Sequence, residues 1–595
     1  MALTQGKLGL TVRVKNDAII SDIPIDAKSA LRWVDDLPIA DIGETASRVF
    51  HYLYDLNQSP IHPKIRLHIL EALTATTNML FETLSDVYIH SPLKYSHKLQ
   101  SASELVHALA SELVFGFNAI VEDIYENPQY AEKYRKTILP AACANSLRGQ
   151  GLIQLQRYQL YKSVGAKLWQ QQNIIFKLAQ EYRFFEHKLK KGSSELGSID
   201  KQLMINLTLS LCNPYQMKHG QVSETYSLLQ KLAEYISLTP EITEQTLFAY
   251  TPDSEIPPQA TNAIESKQLR WFGIDLTPVV DMLEKSLITE KAGILSIFKK
   301  TIELNIDDEL KTHILTHLNT VKTRNFIRIN SDDSTQVTIG MAASHHFLVA
   351  KNGQALYERF YGQKKSKLTS SFQESDLQLQ QEESQHGFVW KTGMGDKGGL
   401  GFGADNSNKK EDAFASIYKP RSFDEKKTEK EDHPFKEFTT KARYEWVESI
   451  IKDVSPAGFC VAFDKAPSQY AETNELITIK NYKKGQEEYN LGLIRWSRWK
   501  NNQVFLVGVE LISAEATPVR ATLDWDYARP AYHHNGLLLP EMHSAGIDAS
   551  IMLPPLGYRS GQTVAIMTPD DEFKVELMKK VIETDNFIQF HYQIK

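Results

Sequence analysis

The sequence predicts an α+β multidomain chain in which a helical bundle or array precedes a small β-barrel and a further β-rich unit. Three observations carry that prediction: apolar residues recur at helical spacing as far as about residue 320, the period shifts toward two beyond it, and a polar, glycine-rich stretch interrupts the second half. At 595 residues the chain has room for three or four domains.

After an alternating start, "KLGLTVRV", within an N-terminal extended segment at 1–34, the helical region runs from about 35 to 320. Leu105, Leu109, Leu113, Phe117, Ile120 and Ile124 recur at steps of three and four, lining one face of a long helix, and Ser101 with Glu104 reads as the capping box ahead of it. "RLHILEALTATTNMLFETL" and "YQLYKSVGAKLWQQQNIIFKLAQEYRFFEHKL" carry similar patterns, and strand signals are scarce here.

From 321 to 519 the candidate strands are "TQVTIGM", "YEWVESIIKD", "FCVAF", "ELITIK", "LGLIRWSRW" and "VFLVGVELI", rich in β-branched and aromatic residues and separated by turn chemistry. Short strands of this kind predict a small barrel. Residues 520–595 continue with "GLLLP", "ASIMLP", "TVAIMT" and "FIQFHYQIK", a second small β-rich unit of unassigned function. Between about 350 and 440 the chain is rich in Ser, Gln, Glu, Gly and charge, a composition that buries too little surface to fold alone, and it is expected to be a flexible insertion.

Composition excludes several classes. With 42% hydrophobic and 24% charged residues and a formal net charge of −6, nothing favours nucleic acid as the main partner, so an anion site has to be local. The start lacks the apolar core of a signal peptide, and no run of 18 apolar residues announces a membrane span. Cys143, Cys212 and Cys460 are far apart and match neither a CxxC metal pair nor a disulfide framework, which fits a reducing cytoplasm.

Several motifs invite chemistry that their surroundings do not support. Gly393, Gly395 and Gly398 form a GxGxxG, but polar low-complexity sequence follows where a dinucleotide fold needs a helix. His313 and His317 stand one helical turn apart with no third ligand suggested, and the pairs His345–His346 and His533–His534 would point to opposite faces if they lay on strands. No metal site and no catalytic group is assigned. Without a nucleophile beside a base or paired carboxylates in a recognisable setting, an enzyme is the least favoured class.

The stretch "IIKDVSPAGFCVAF" is different. It sets Asp453, Ser455 and Gly458, an Asp-x-Ser-x-x-Gly, at the corner between two strands. With the strands around it, and with Gly508 ahead of a last strand, this stretch resembles the PilZ family of bacterial cyclic di-GMP receptors, over roughly 321–350 and 440–519. The resemblance implies a six-stranded barrel and an Arg-x-x-x-Arg segment leading into it. Arg421 and Arg443 stand alone near the corner, whereas Arg324 and Arg328 have the required spacing and precede "TQVTIGM" after a short polar link. The barrel is therefore expected to be split by the insertion, an arrangement that loop-closure entropy tolerates.

Such a site would bind cyclic di-GMP through Arg324, Arg328, Asp453, Ser455 and Gly458. A guanidinium can pair with phosphate, reach guanine O6 and N7, and stack on a base. Asp453 can accept from guanine N–H groups, Ser455 can donate or accept, and Gly458 permits a conformation or approach denied to residues with a Cβ. The resemblance thus implies a cytoplasmic signalling receptor or adaptor acting through an unidentified protein partner, with no other cofactor. The alternative is a nucleotide-independent interaction scaffold with a degenerate barrel, in which Asp and Ser merely cap a turn.

Overall fold

A computed structural model describes residues 3–16, 23–89, 97–186, 198–265, 268–292, 304–321, 326–361, 444–464, 471–483, 486–501, 503–523, 533–541 and 548–595. They fall into two compact units, one up to the end of the helical region and one from there to the C-terminus. Arg324 and the GxGxxG lie outside the described residues, as does the insertion predicted near 350–440 beyond Tyr361; two short helices, Met341–Lys351 and Gln354–Tyr361, lead up to that stretch.

The first unit is a helical array around the His97–Glu126 helix, whose predicted stripe from Leu105 to Ile124 is buried. This helix is long and apolar enough to cross a membrane, yet 89% of its apolar window is buried inside the array, where it serves as a core helix. It starts at His97, so Ser101 lies within its first turns and does not cap it. Strands β1 (Leu3–Gln5) and β2 (Thr11–Arg13) form a ladder against it. The Glu122 carboxylate accepts from the Leu8 and Leu10 amides at 2.9 and 2.7 Å, and Arg13 is buried on Glu112.

The expectation of few strands in this half needs correcting. A four-stranded antiparallel sheet is built from β3 (Ser237–Thr239), β4 (Phe248–Tyr250), β5 (Gln259–Ala260) and β6 (Phe272–Asp275), in the order β3-β6-β4-β5. Strands of two to four residues are too short to show an alternating pattern.

The second unit contains two closed six-stranded barrels. The first comprises β7 (Ile329–Ile339), β8 (Val447–Ser455), β9 (Gly458–Phe463), β10 (Leu476–Lys483), β11 (Gln486–Lys500) and β12 (Val504–Ser513). Its order is β10-β11-β12-β9-β8-β7, closed by pairing of β7 with β10. Strand β7 is thus separated in sequence from β8 by the insertion while pairing with it from Ile329↔Val454 to Val337↔Val447. Val337, Val461, Phe463, Ile494 and Val507 fill the interior.

The second barrel comprises β13 (Thr517–Leu523), β14 (His534–Leu539), β15 (Ser550–Leu553), β16 (Thr563–Met567), β17 (Glu572–Glu583) and β18 (Ile588–Ile594), in the order β13-β14-β15-β18-β17-β16. The Met341–Lys351 helix packs against both barrels. Ser344 meets Thr478 of the first at 2.8 Å, and His345 Nε2 donates to the Val519 carbonyl of the second at 3.1 Å. That bond leaves His345 Nδ1 to accept from the Tyr361 hydroxyl at 2.6 Å, and burial lowers the pKa of the ring to about 4. His345 and His346 are therefore helical neighbours, not strand residues.

Candidate functional site

The site begins with a fault in the strand pattern. Two-residue alternation would point Asp453 the same way as Ile451, which is buried against the barrel interior opposite Val461. Instead Lys452 is an extra residue. Ile451 pairs with Val461 while Asp453 pairs with the very next residue of β9, Cys460, so this bulge turns the carboxylate to the outer face. The facing strand β7 shifts register at the same place, pairing Asn330 with Asp453 and Asp333 with Ile451.

Arg328 immediately precedes β7 and meets that carboxylate. Its Nη1 lies 3.2 Å from Asp453 Oδ2 and 3.2 Å from Oδ1, with the two side chains 37% and 19% exposed. A half-exposed pair of this kind contributes only ~0–1 kcal/mol, so it orients the guanidinium while leaving it open to exchange partners. Lys452, thrown outward by the bulge, pairs with exposed Asp332 at 2.7 Å.

Ser455 and Gly458 form the corner itself. They pair across a two-residue turn of Pro456 and Ala457, and the Ser455 hydroxyl donates to the Gly458 carbonyl at 3.3 Å. A Cβ on Gly458 would come within 1.9 Å of the Val509 carbonyl oxygen, so the absent side chain permits close approach of the neighbouring strand β12. The structure thus brings Arg328, Asp453, Ser455 and Gly458 to one corner, and Arg324 lies outside the described residues.

The outer row continues beyond the corner. Asp453 pairs with Cys460, Cys460 with Gly508, and Gly508 with Trp496 of β11. Here too a bulge intervenes. Ile494 is buried opposite Val509, Arg495 is extra, and Trp496 pairs with Gly508. The indole lies over that glycine, since a Cβ on Gly508 would fall 1.9 Å from Trp496 Nε1. Two residues on, Arg498 is exposed on the same face. The sequence shows Trp496 and Gly508 plainly but not their pairing, because cross-strand register depends on bulges that leave no composition signal.

Cys460 forms the floor of the row at 4% exposure. Its thiol is pushed up to about 11, first by burial and then by the Asp453 carboxylate, against opposing pulls from Arg328, Arg498 and Lys452. Three cations and one carboxylate therefore surround one small buried side chain, which suits an anionic ligand with polar edges. Of the rejected motifs, His313 bonds the Cys212 carbonyl at 3.0 Å and His317 bonds the His313 carbonyl at 2.8 Å. Among the described residues no group of three metal-ligating side chains occurs.

Comparison with known proteins covers nearly the whole chain. Residues 28–241 match the family model described as the N-terminal domain of the cyclic-di-GMP receptor FimW, residues 247–518 its middle PilZ domain, and residues 528–594 its C-terminal beta-barrel domain. The cyclic-di-GMP receptor FimW of Pseudomonas aeruginosa is 22% identical over 595 residues, covering 98% of this chain and 93% of that protein. No solved structure matches.

Proposed function

We propose that this chain, which belongs to the PilZ family through its middle barrel, is a cyclic di-GMP receptor that signals through a protein partner. The observation that carries the reading is the junction of Arg328 and Asp453 at 3.2 Å, made across 125 residues of sequence by the pairing of β7 with β8. Similarity over 98% of the chain to a protein named for this ligand supports it.

In this reading the ligand approaches the outer face of the barrel. Arg328 keeps its hold on Asp453 through Nη1 and presents its remaining N–H groups to a phosphate or to guanine O6 and N7. The carboxylate has lone pairs beyond those facing Arg328 and accepts from the guanine N1–H and N2–H donors. Ser455, whose turn bond at 3.3 Å is long, can turn its hydroxyl to the ligand. Arg324, four residues before Arg328 in the sequence, supplies a second guanidinium to the ligand. The site takes no metal and performs no bond-making step, and the receptor works in the cytoplasm.

Calorimetric titration of the full chain with cyclic di-GMP tests this. Arg328→Ala is expected to weaken binding about ten- to a hundredfold, the loss of one charge-assisted bond at about 1.5–3 kcal/mol. A wild-type chain that gives no heat of binding, with circular dichroism showing it folded, would favour the nucleotide-independent scaffold.

A further inference from the structure

We infer that Trp496 and Arg498 of β11 form a second wall of the ligand site, stacking on one base and holding one phosphate of a cyclic dinucleotide. The proposal rests on the receptor reading above and extends it to residues on a third strand beyond the corner.

The geometry repeats one device at both ends of the row. At one end the Lys452 bulge turns Asp453 out of the interior, and at the other the Arg495 bulge does the same for Trp496. Without them both residues would share the inward side of Ile451 and Ile494, which are 4% and 0% exposed. Two separate register shifts thus aim a carboxylate and an indole onto a single row, Asp453–Cys460–Gly508–Trp496, and bulges commonly re-aim side chains beside functional sites.

The residues between the ends are small. Cys460 is sunk to 4% exposure and Gly508 has no side chain, so the row is a shallow floor between two walls. Three strand spacings, roughly 14 Å, separate the Asp453 and Trp496 backbones, and the indole leans back over Gly508 to narrow that gap. A cyclic dinucleotide carries two bases and two phosphates about a pseudo-twofold axis, and Arg328 with Asp453 addresses only one half. The far half meets a half-buried indole whose flat face suits any base. Arg498, exposed on the same face of β11 and within electrostatic reach of Cys460, meets a phosphate there.

Stacking and charge separate in the test. In calorimetric titrations of the full chain with cyclic di-GMP, Trp496→Leu is expected to weaken binding about tenfold or more with its salt dependence unchanged. Trp496→Phe should recover most of that loss. Arg498→Gln is expected to weaken binding about tenfold and to flatten the dependence of affinity on salt. Should Trp496→Leu fail to fold because Gly508 loses its cover, the exposed Arg498→Gln decides. Affinities within twofold of wild type for Arg498→Gln and for Trp496→Leu where it folds, while Arg328→Ala still weakens binding about ten- to a hundredfold, would overturn the second wall and leave the receptor reading standing. No binding by the wild-type chain would overturn both.

Discussion

The middle and C-terminal barrels each close six antiparallel strands, and they use glycine for different ends. In the middle barrel a Cβ at Gly458, Gly492 or Gly508 would lie 1.9, 2.4 and 1.9 Å from Val509 O, Val509 Cγ1 and Trp496 Nε1. In the C-terminal barrel Gly557 and Gly561 have φ of 81° and 85° with nothing within 4 Å of a Cβ, so they serve turn conformation, and Gly536 is crowded only to 3.0 Å. Bulges occur in both. Those of β17 bring Lys580 onto Glu583, a surface pair, whereas those of β8 and β11 turn Asp453 and Trp496 outward. Barrel closure is therefore shared, and what distinguishes the middle barrel is one outer row where side chains are aimed and backbones brought close.

The largest expected effect breaks that distinction directly. Gly458→Val would drive a branched side chain into the Val509 carbonyl, which cannot swing away as a side-chain tip can, and should cost about 3 kcal/mol along with ligand binding. Gly557→Ala meets open space and should cost only the ~1–2 kcal/mol of a left-handed residue, with ligand affinity intact. Urea unfolding beside titration reads both, and equal losses would remove the contrast between the barrels.

A second, somewhat smaller effect lies where the Met341–Lys351 helix joins the barrels. The buried His345 ring has its folded pKa lowered to about 4 from an ordinary 6.5, so the unfolded chain binds the extra proton between those values. Its contribution is complete above pH 6.5 and is lost as pH falls toward 4, amounting to about 2 kcal/mol between pH 7 and pH 5. His219 in the first unit is lowered to about 4 as well and adds a drop there. Thermal unfolding at the two pH values should show the loss, and His345→Gln should shrink it. An unchanged acid sensitivity in that variant would mean the histidine does not bind the second barrel to its helix.

The smallest effect concerns the bulge's own surface pair. Asp332→Asn removes the exposed partner of Lys452 and should change stability by less than about 0.5 kcal/mol, since such pairs contribute little. A loss above 1 kcal/mol would show that the pair, and not the register shift, holds Asp453 outward.

Much of this barrel was legible because its strands alternate over several residues, and Asp453, Ser455 and Gly458 were legible because they share one short stretch. The joining of β7 to β8 across the insertion followed from arginine spacing, and the first of those arginines, Arg324, lies outside the described residues. What escaped was set by tertiary pairing. The strands β3 to β6 are too short to announce a period, and Ser101 looked like a cap although the helix begins four residues earlier. Gly458 could be read as a residue that allows close approach, but not that the approach is to Val509 of a strand some fifty residues on. Trp496 reached the outer row only through a bulge at Arg495.

The central claim is that the corner of β8 and β9 is a guanine pocket and not only a turn. The most direct test is calorimetric titration of the wild-type chain and of Asp453→Asn, each with cyclic di-GMP and with cyclic di-AMP. Asn keeps the shape of the corner but sets a donor against guanine's donors. The account expects the wild type to prefer cyclic di-GMP by tenfold or more and the variant to lose most of that preference while circular dichroism shows it folded. Equal binding of the two dinucleotides by the wild type, or an Asp453→Asn variant with unaltered affinity and selectivity, would contradict it.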